Sequence, residues 1–211
     1  MSAGFALPGV CTLHRLICEG DENALTPEET RDFAGSILKV RRASGAARIV
    51  ARNLLAGLGV SNAALPKSAS GAPIWPAEVV GSLAHDEEVA VAAVGMRCEV
   101  GAIGIDVEPA EELPSDLMDV VATPSERTLI ANFRLGGRLL FAAKEAVYKA
   151  VYPLDQQFLE HHDVEIDFTS RKATVRDGRT VDLRFVISTH LVVLAFISAL
   201  TTTRFGRIER L

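Results

Sequence analysis

The chain is poor in cysteine, in aromatic residues, in positive charge and in long apolar runs. Its three cysteines, Cys11, Cys18 and Cys98, are odd in number and lack metal-ligand spacing. That excludes a disulfide scaffold and a cysteine-based zinc site, and makes a reducing, cytoplasmic setting the expectation. Aromatic residues are 6% of the chain, with a single tryptophan, Trp75. Twenty-two Lys and Arg stand against 27 Asp and Glu, a net charge of −5, which argues against nucleic acid as the main partner. No basic segment precedes an apolar run in the first twenty residues, so no secretory signal is expected. The longest mostly apolar run, Leu191 to Leu200, is about half of what spans a bilayer. What remains is a 211-residue chain, 48% hydrophobic and 23% charged, enough for one large globular domain or two small ones.

The most informative stretch is Phe141-Ala142-Ala143-Lys144-Glu145-Ala146-Val147-Tyr148-Lys149-Ala150. It holds strong helix formers and no breaker, and it follows Gly136-Gly137. On a helix Phe141, Glu145 and Lys149 share one face, and Lys144 and Tyr148 the adjoining one. An ordinary amphipathic helix with a Glu–Lys pair on its wet side reads the same way. Upstream, Gly104-Ile105-Asp106-Val107-Glu108 alternates with the period of a strand, so both carboxylates leave one face. Two like charges held side by side cost free energy unless a cation or a shared proton relieves them. If the Glu145 helix crosses this strand, three carboxylates converge, a hard oxygen set suited to Mg2+, with Mn2+ suiting the same ligands.

From the N-terminus, Gly9 to Cys18 alternates as a strand, and Thr26-Pro27-Glu28-Glu29 reads as a helix start with a capping box. Helical pattern then runs to Ala56, with a break expected at Ser44-Gly45. Arg41, Gly45, Arg48 and Arg52 share one helix face, and Lys39 and Arg42 lie close by in sequence. Two readings stand for this cluster, a solvated face and a phosphate clamp. Gly57 to Gly71 is a loop, extended by Pro73 and Pro76 around Trp75. Val79-Val80-Gly81-Ser82-Leu83-Ala84-His85 leads into Asp86-Glu87-Glu88. By position alone His85 reads as structural or exposed.

Val89 to Val94 is a buried strand that the pattern pairs as a hairpin with Gly101 to Glu108. Short helices are expected from Leu113-Pro114 and from Thr123-Pro124-Ser125-Glu126. The central helix is expected from Arg138 to Val151, stopping before Pro153. Strands follow at 164–168, 173–176, 181–188 and 191–199, with a turn at Asp177-Gly178 and the last strand central. Both halves run from helix to antiparallel strands, without a motif repeated at the residue level.

Gly-Ile-Asp-Val-Glu at 104–108 and Phe-Ala-Ala-Lys-Glu-Ala-Val-Tyr-Lys at 141–149 resemble the 4′-phosphopantetheinyl transferases, more closely the monomeric type whose best-known member serves enterobactin synthesis. Pro73-Ile74-Trp75-Pro76, Gly81 to His85, the Arg41 to Arg52 helix and Tyr152-Pro153-Leu154 match the same type. The resemblance implies an α+β fold of two similar subdomains related by a pseudo-twofold, each an antiparallel sheet with a packed long helix. Residues 1–103 would form the coenzyme A half and 104–211 the metal half, with the active site between them. It implies transfer of the phosphopantetheine arm from coenzyme A to a serine of an acyl or peptidyl carrier protein by a monomer. Asp106, Glu108 and Glu145 would hold Mg2+ with the coenzyme A diphosphate, and Glu145 would be the general base. Lys149 would stabilise the departing adenosine bisphosphate, and Lys144, His85, Ser82, Arg42 and Arg48 would contact coenzyme A, with Arg41 and Arg52 beside them.

The chain departs from the family pattern at several places. Ala84 stands where Ser or Thr is usual, Asp86 where a small polar residue is, and Ala72 where a basic residue is frequent. Ala142 replaces a common Ser and Ala43 a frequent acid. These changes remove a hydroxyl contact to phosphate and put acidic residues beside His85. Two other classes fit the same residues: a binding-only relative, and a Mg2+-dependent phosphoryl hydrolase. The apolar residues Leu113, Leu117, Met118, Val120, Val121 and Phe133 are read either as carrier docking surface or as core.

Overall fold

A computed structural model describes residues 7–199. The first half contains β1 (Val10–Leu16), α1 (Pro27–Asp32), α2 (Leu38–Gly57), β2 (Val79–His85) and β3 (Val89–Met96). The second contains β4 (Val100–Pro109), α3 (Ser115–Val121), α4 (Pro124–Ile130), α5 (Gly136–Asp155), β5 (Val164–Asp167), β6 (Lys172–Val175), β7 (Thr180–Ile187) and β8 (His190–Ser198). Two antiparallel sheets result, in the orders β1-β3-β2 and β4-β8-β7-β6-β5, with α2 packed on the first and α5 across β4 and β8 of the second. The fold is α+β, a long helix on each antiparallel sheet, with β8 an interior strand as its apolar run requires.

β4 is buried on both faces. Ile103, Ile105 and Val107 pack into a core with Val80, Ala84, Val91 and Ala93 of the first sheet. The alternate residues face α5: Ala102 joins the α5 core, and Gly104 lies against the helix backbone. The hairpin expected between the 89–94 and 101–108 runs does not form. β3 already has β1 on one edge and β2 on the other, so no edge is left, and β4 takes β8 as partner instead. The division expected after residue 103 falls within β4 itself, whose ladder belongs to the second sheet.

Two helices run longer than their breakers suggest. α2 continues through Ser44-Gly45, because the glycine serves packing: a Cβ there would sit 2.0 Å from the Asp21 carbonyl oxygen. α5 continues through Pro153 to Asp155. Only Leu154 and Asp155 follow that proline in the helix, so the missing N–H bond and any bend it causes fall on the last turn and leave the body of α5 unbroken.

The structure also supplies a repeat at the residue level. Thr-Pro-Glu-Glu at 26–29 and Thr-Pro-Ser-Glu at 123–126 both form capping boxes at the starts of α1 and α4. Both glutamates are buried and both reach further. Glu29 accepts from the Leu65 N–H at 2.7 Å and pairs with Arg52 and Arg48 of α2 at 2.9 and 3.5 Å. Glu126 accepts from the Ile166 N–H at 3.0 Å and pairs with Lys144 of α5 at 2.8 Å. Each half therefore clasps its long helix through a buried cation and a capping glutamate.

Burial by itself raises the Glu29 carboxyl, but the Thr26 and Leu65 N–H bonds and the two arginines outweigh it, leaving it below the ordinary value of 4.5. A carboxylate depressed in the folded state contributes stability above its unfolded pKa and loses it as pH falls through the folded one. Urea unfolding followed from pH 7 downward should therefore show the wild type weakening below pH 4.5, and Glu29→Gln should show a shallower acid loss from a lower starting stability. An unchanged acid limb in the variant would remove Glu29 from this role.

Candidate active site

β4 and α5 build the site. Gly104 brings the strand onto the helix backbone, so Asp106 and Glu108, on the same strand face, emerge beside Glu145 and Lys149. Lys149 Nζ lies 2.5 Å from Asp106 Oδ1, and Arg138 Nη1, one α5 heptad before Glu145, lies 3.0 Å from Glu108 Oε2. Asp106 is 5% exposed, and its Oδ2 is buried without a hydrogen-bond partner among the described residues. Glu145 is partly exposed, and its Oε1 lies 4.0 Å from His161 Nε2.

The electrostatics of these groups are coupled. Burial pushes the Asp106 carboxyl up, Lys149 pulls it back and the Glu145 charge adds to the rise. Burial also raises Glu108, the Asp106 charge adds to this, and Arg138 opposes it. Both carboxyls are thus disfavoured as anions even with a cation beside each. Among the described residues no three His, Cys, Asp or Glu side chains are gathered closely enough to hold a metal. Lys149 and Arg138 take up the charge of the two strand carboxylates instead. In chemistry the residues fit a divalent cation: three oxygen donors repel one another, and one buried carboxylate oxygen is unsatisfied.

A cleft of about 900 Å3 opens between the halves, lined among others by Ala72, Trp75, Ser82, Arg97, Lys149 and Tyr152. Ser82 borders it, though its Oγ is engaged, accepting from the Ile105 N–H at 3.0 Å. A second pocket, about 640 Å3, lies on the other side of Tyr148, walled by Val120, Glu145, Phe158, Leu159 and His161.

The remaining expected contacts divide. His85 is exposed at the end of β2; the protein around the ring still lowers its pKa, and the Lys149 charge adds to this while the Asp86 backbone bond opposes it. Arg42 is half-buried and pairs with Glu22 at 3.0 Å. Arg48 is 3% exposed and donates to the Leu65 and Ser44 carbonyls, so it is neither part of a solvated face nor directed at a cleft. Arg52 turns to Glu29 and to the Ala24 carbonyl, while the buried Nε of Arg41 has no partner among the described residues. Lys144 is 1% exposed, and its ammonium donates to Glu126 Oε2 and to the Val121 and His161 carbonyls, each at 2.8 Å. Those three bonds use its three protons, so it is not free for phosphate in this arrangement.

The acidic run after His85 does not converge on it. Asp86 Oδ1 accepts from the Glu88 and Val89 N–H groups, its Oδ2 stands 3.0 Å from His190 Nε2, and Glu87 pairs with Lys39. Of the apolar set, Leu113 and Val121 are core, whereas Leu117, Val120 and Phe133 are exposed. Arg138 and His161 escaped the sequence reading. A signal existed for Arg138, which sits seven residues before Glu145 and so on its helix face; none existed for His161, placed by the loop after α5.

The 4'-phosphopantetheinyl transferase N-terminal domain model matches residues 28–95, and the 4'-phosphopantetheinyl transferase superfamily model matches residues 102–195. The chain is 40% identical over 155 residues to 4'-phosphopantetheinyl transferase Npt of Nocardia iowensis, covering 72% of this chain and 70% of that protein. It is 40% identical over 147 residues to 4'-phosphopantetheinyl transferase PptT of Mycobacterium tuberculosis, covering 67% and 64%. Enterobactin synthase component D of Escherichia coli is 38% identical over 84 residues, covering 37% of this chain and 39% of that protein. With the carboxylate strand and the Lys-Glu helix both inside the matched segments, the chain belongs to the 4′-phosphopantetheinyl transferase family.

Proposed function

We propose that the chain transfers 4′-phosphopantetheine from coenzyme A to a serine of an acyl or peptidyl carrier protein, acting with Mg2+ in a cytoplasmic setting. The observation that carries this reading is the buried, unsatisfied Asp106 Oδ2 beside Glu108, across from Glu145 and Lys149. Asp106, Glu108 and Glu145 are the residues that would hold the metal. When bound, it supplies charge neutralisation of the diphosphate and polarisation of the phosphorus under attack.

The chain's own groups do the rest. Glu145 takes the proton of the incoming serine hydroxyl as its oxygen bonds to the pantetheine-bearing phosphorus. The bond from that phosphorus to the bridging oxygen breaks, and the electron pair leaves with adenosine 3′,5′-bisphosphate. Lys149, partly exposed at the cleft, is placed to exchange Asp106 for the charge on that leaving group. Arg138 can release Glu108 in the same way. The cleft next to Trp75 and Ser82 would take coenzyme A.

Intact mass spectrometry of an apo carrier protein incubated with this chain, coenzyme A and Mg2+ tests the reaction. The expected result is a gain of one phosphopantetheine, abolished by chelator. No gain with any of several carrier types would reject it, and coenzyme A binding without transfer would favour a binding-only relative. The metal has its own readout. Mg2+ at 100 times its dissociation constant should stabilise the fold by about 2.7 kcal/mol, seen as a raised melting temperature. That rise should vanish in Asp106→Asn, and an equal rise in the variant would place the metal elsewhere.

A further inference from the structure

We propose that Lys144 and Glu126 are a positioning pair for Glu145, and that Lys144 makes no phosphate contact. The inference rests on the transfer reaction proposed above. Lys144 precedes Glu145 on α5, and its ammonium is saturated by Glu126 Oε2, the Val121 carbonyl and the His161 carbonyl. Those acceptors belong to three separate segments: the start of α4, the end of α3, and the loop between α5 and β5. Glu126 adds a fourth, since its other oxygen receives the Ile166 N–H of β5 at 3.0 Å. One buried pair therefore ties the end of α3, the start of α4, β5 and the 161 loop to α5 beside the Glu145 pocket.

The loop contributes directly to Glu145. With its carbonyl held by Lys144, His161 presents its ring to Glu145, Nε2 to Oε1 at 4.0 Å, and packs it on Phe141 at 5.5 Å between centroids. Among the described residues no side chain other than His161 pairs with the Glu145 carboxylate, so its orientation depends on that ring and on the helix turn beneath it. The pseudo-symmetric first half supports the assignment. There the capping glutamate Glu29 clasps buried Arg48, which also donates to a loop carbonyl, that of Leu65. The same device thus occurs where no carboxylate base stands next to it, which marks it as an anchor of the long helix rather than a substrate contact.

Steady-state transfer and calorimetric coenzyme A binding separate the two roles, using Lys144→Met, Glu126→Gln, their double variant and His161→Ala. A positioning role predicts kcat lowered roughly 10- to 100-fold in each single variant. The coenzyme A dissociation constant should stay within about twofold in all of them, and the double variant should be no worse than the poorer single one. His161 lies on a surface loop, so His161→Ala should keep the wild-type melting temperature and serves if Lys144→Met fails to fold. The proposal is overturned if Lys144→Met weakens coenzyme A binding about tenfold while Glu126→Gln does not. It is equally overturned if Glu126→Gln and His161→Ala both leave kcat within about twofold of wild type. Should the wild-type chain load no carrier, the reaction itself fails, and the binding comparison between Lys144→Met and Glu126→Gln still decides whether Lys144 meets phosphate.

Discussion

Glu145→Ala is expected to lower the rate of carrier loading by about a thousandfold while leaving the fold intact. Removal of a general base alone costs between about 100- and 10,000-fold, and the same change takes away one of three oxygen donors to the metal. Stability should not suffer. Glu145 is partly exposed, its one close side-chain partner among the described residues is the His161 ring at 4.0 Å, whose burial favours the neutral form, and its charge works against the buried Asp106 carboxyl. Deleting a like charge beside a buried anion relieves repulsion, so the melting temperature should be equal or slightly higher. Initial rates at saturating coenzyme A, with unfolding followed on the same preparation, make the check. A variant that loads carrier within threefold of wild type would sink the base assignment, and an unfolded variant would sink the expectation that Glu145 is dispensable for the fold.

The second large effect concerns a residue without a side chain. A Cβ at position 104 would lie 1.9 Å from the Ala146 carbonyl oxygen and 2.6 Å from the Ala150 nitrogen. Both are backbone atoms of α5, so no rotamer change relieves the overlap, and the helix has to lift off β4. Overpacking of this kind costs about 3 kcal/mol, against a total stability of roughly 5–15 kcal/mol for a domain. Gly104→Ala should therefore move the urea midpoint sharply downward. It should also abolish transfer at temperatures where the chain still folds, because Asp106 is two residues along the strand and Glu145 adjoins Ala146. Gly57→Ala is the matched control: it closes α2, has nothing within 4 Å of its Cβ position, and should be neutral or mildly stabilising. Equal midpoints for the two variants would refute the close approach.

The faces that carry the candidate site were readable because their signals are local, whereas the closeness of the three carboxylates was not. Alternation put Asp106 and Glu108 on one strand face, and the four-residue spacing put Glu145 and Lys149 on one helix face. Both capping boxes could be read from the motif alone, Thr26 to Glu29 fully and Thr123 to Glu126 as a helix start. What their glutamates do next could not, because Glu29 and Glu126 meet backbone groups 36 and 40 residues away. That is why Arg48 and Lys144 looked available. A basic residue in a sequence shows its charge but not the partner that consumes it. The false hairpin had a related origin, since two apolar runs six residues apart look like neighbours when the edges of β3 are not known to be filled. Breakers misled for a different reason: Gly45 was selected by contact with Asp21 rather than by backbone freedom, and Pro153 came too late in α5 to end it.

β4 ties its ladder hydrogen bonds to one sheet, and its odd-numbered side chains and the Ile105 N–H to the other. The two halves consequently have no hinge at their junction. Sliding one against the other would expose Ile103, Ile105 and Val107, and swinging them apart would pull on the strand that holds Asp106. The cleft is then a preformed slot whose width is set by the thickness of a hydrophobic layer. Its adaptability must come from side chains at the rim and from the 68–75 loop rather than from the halves closing like jaws.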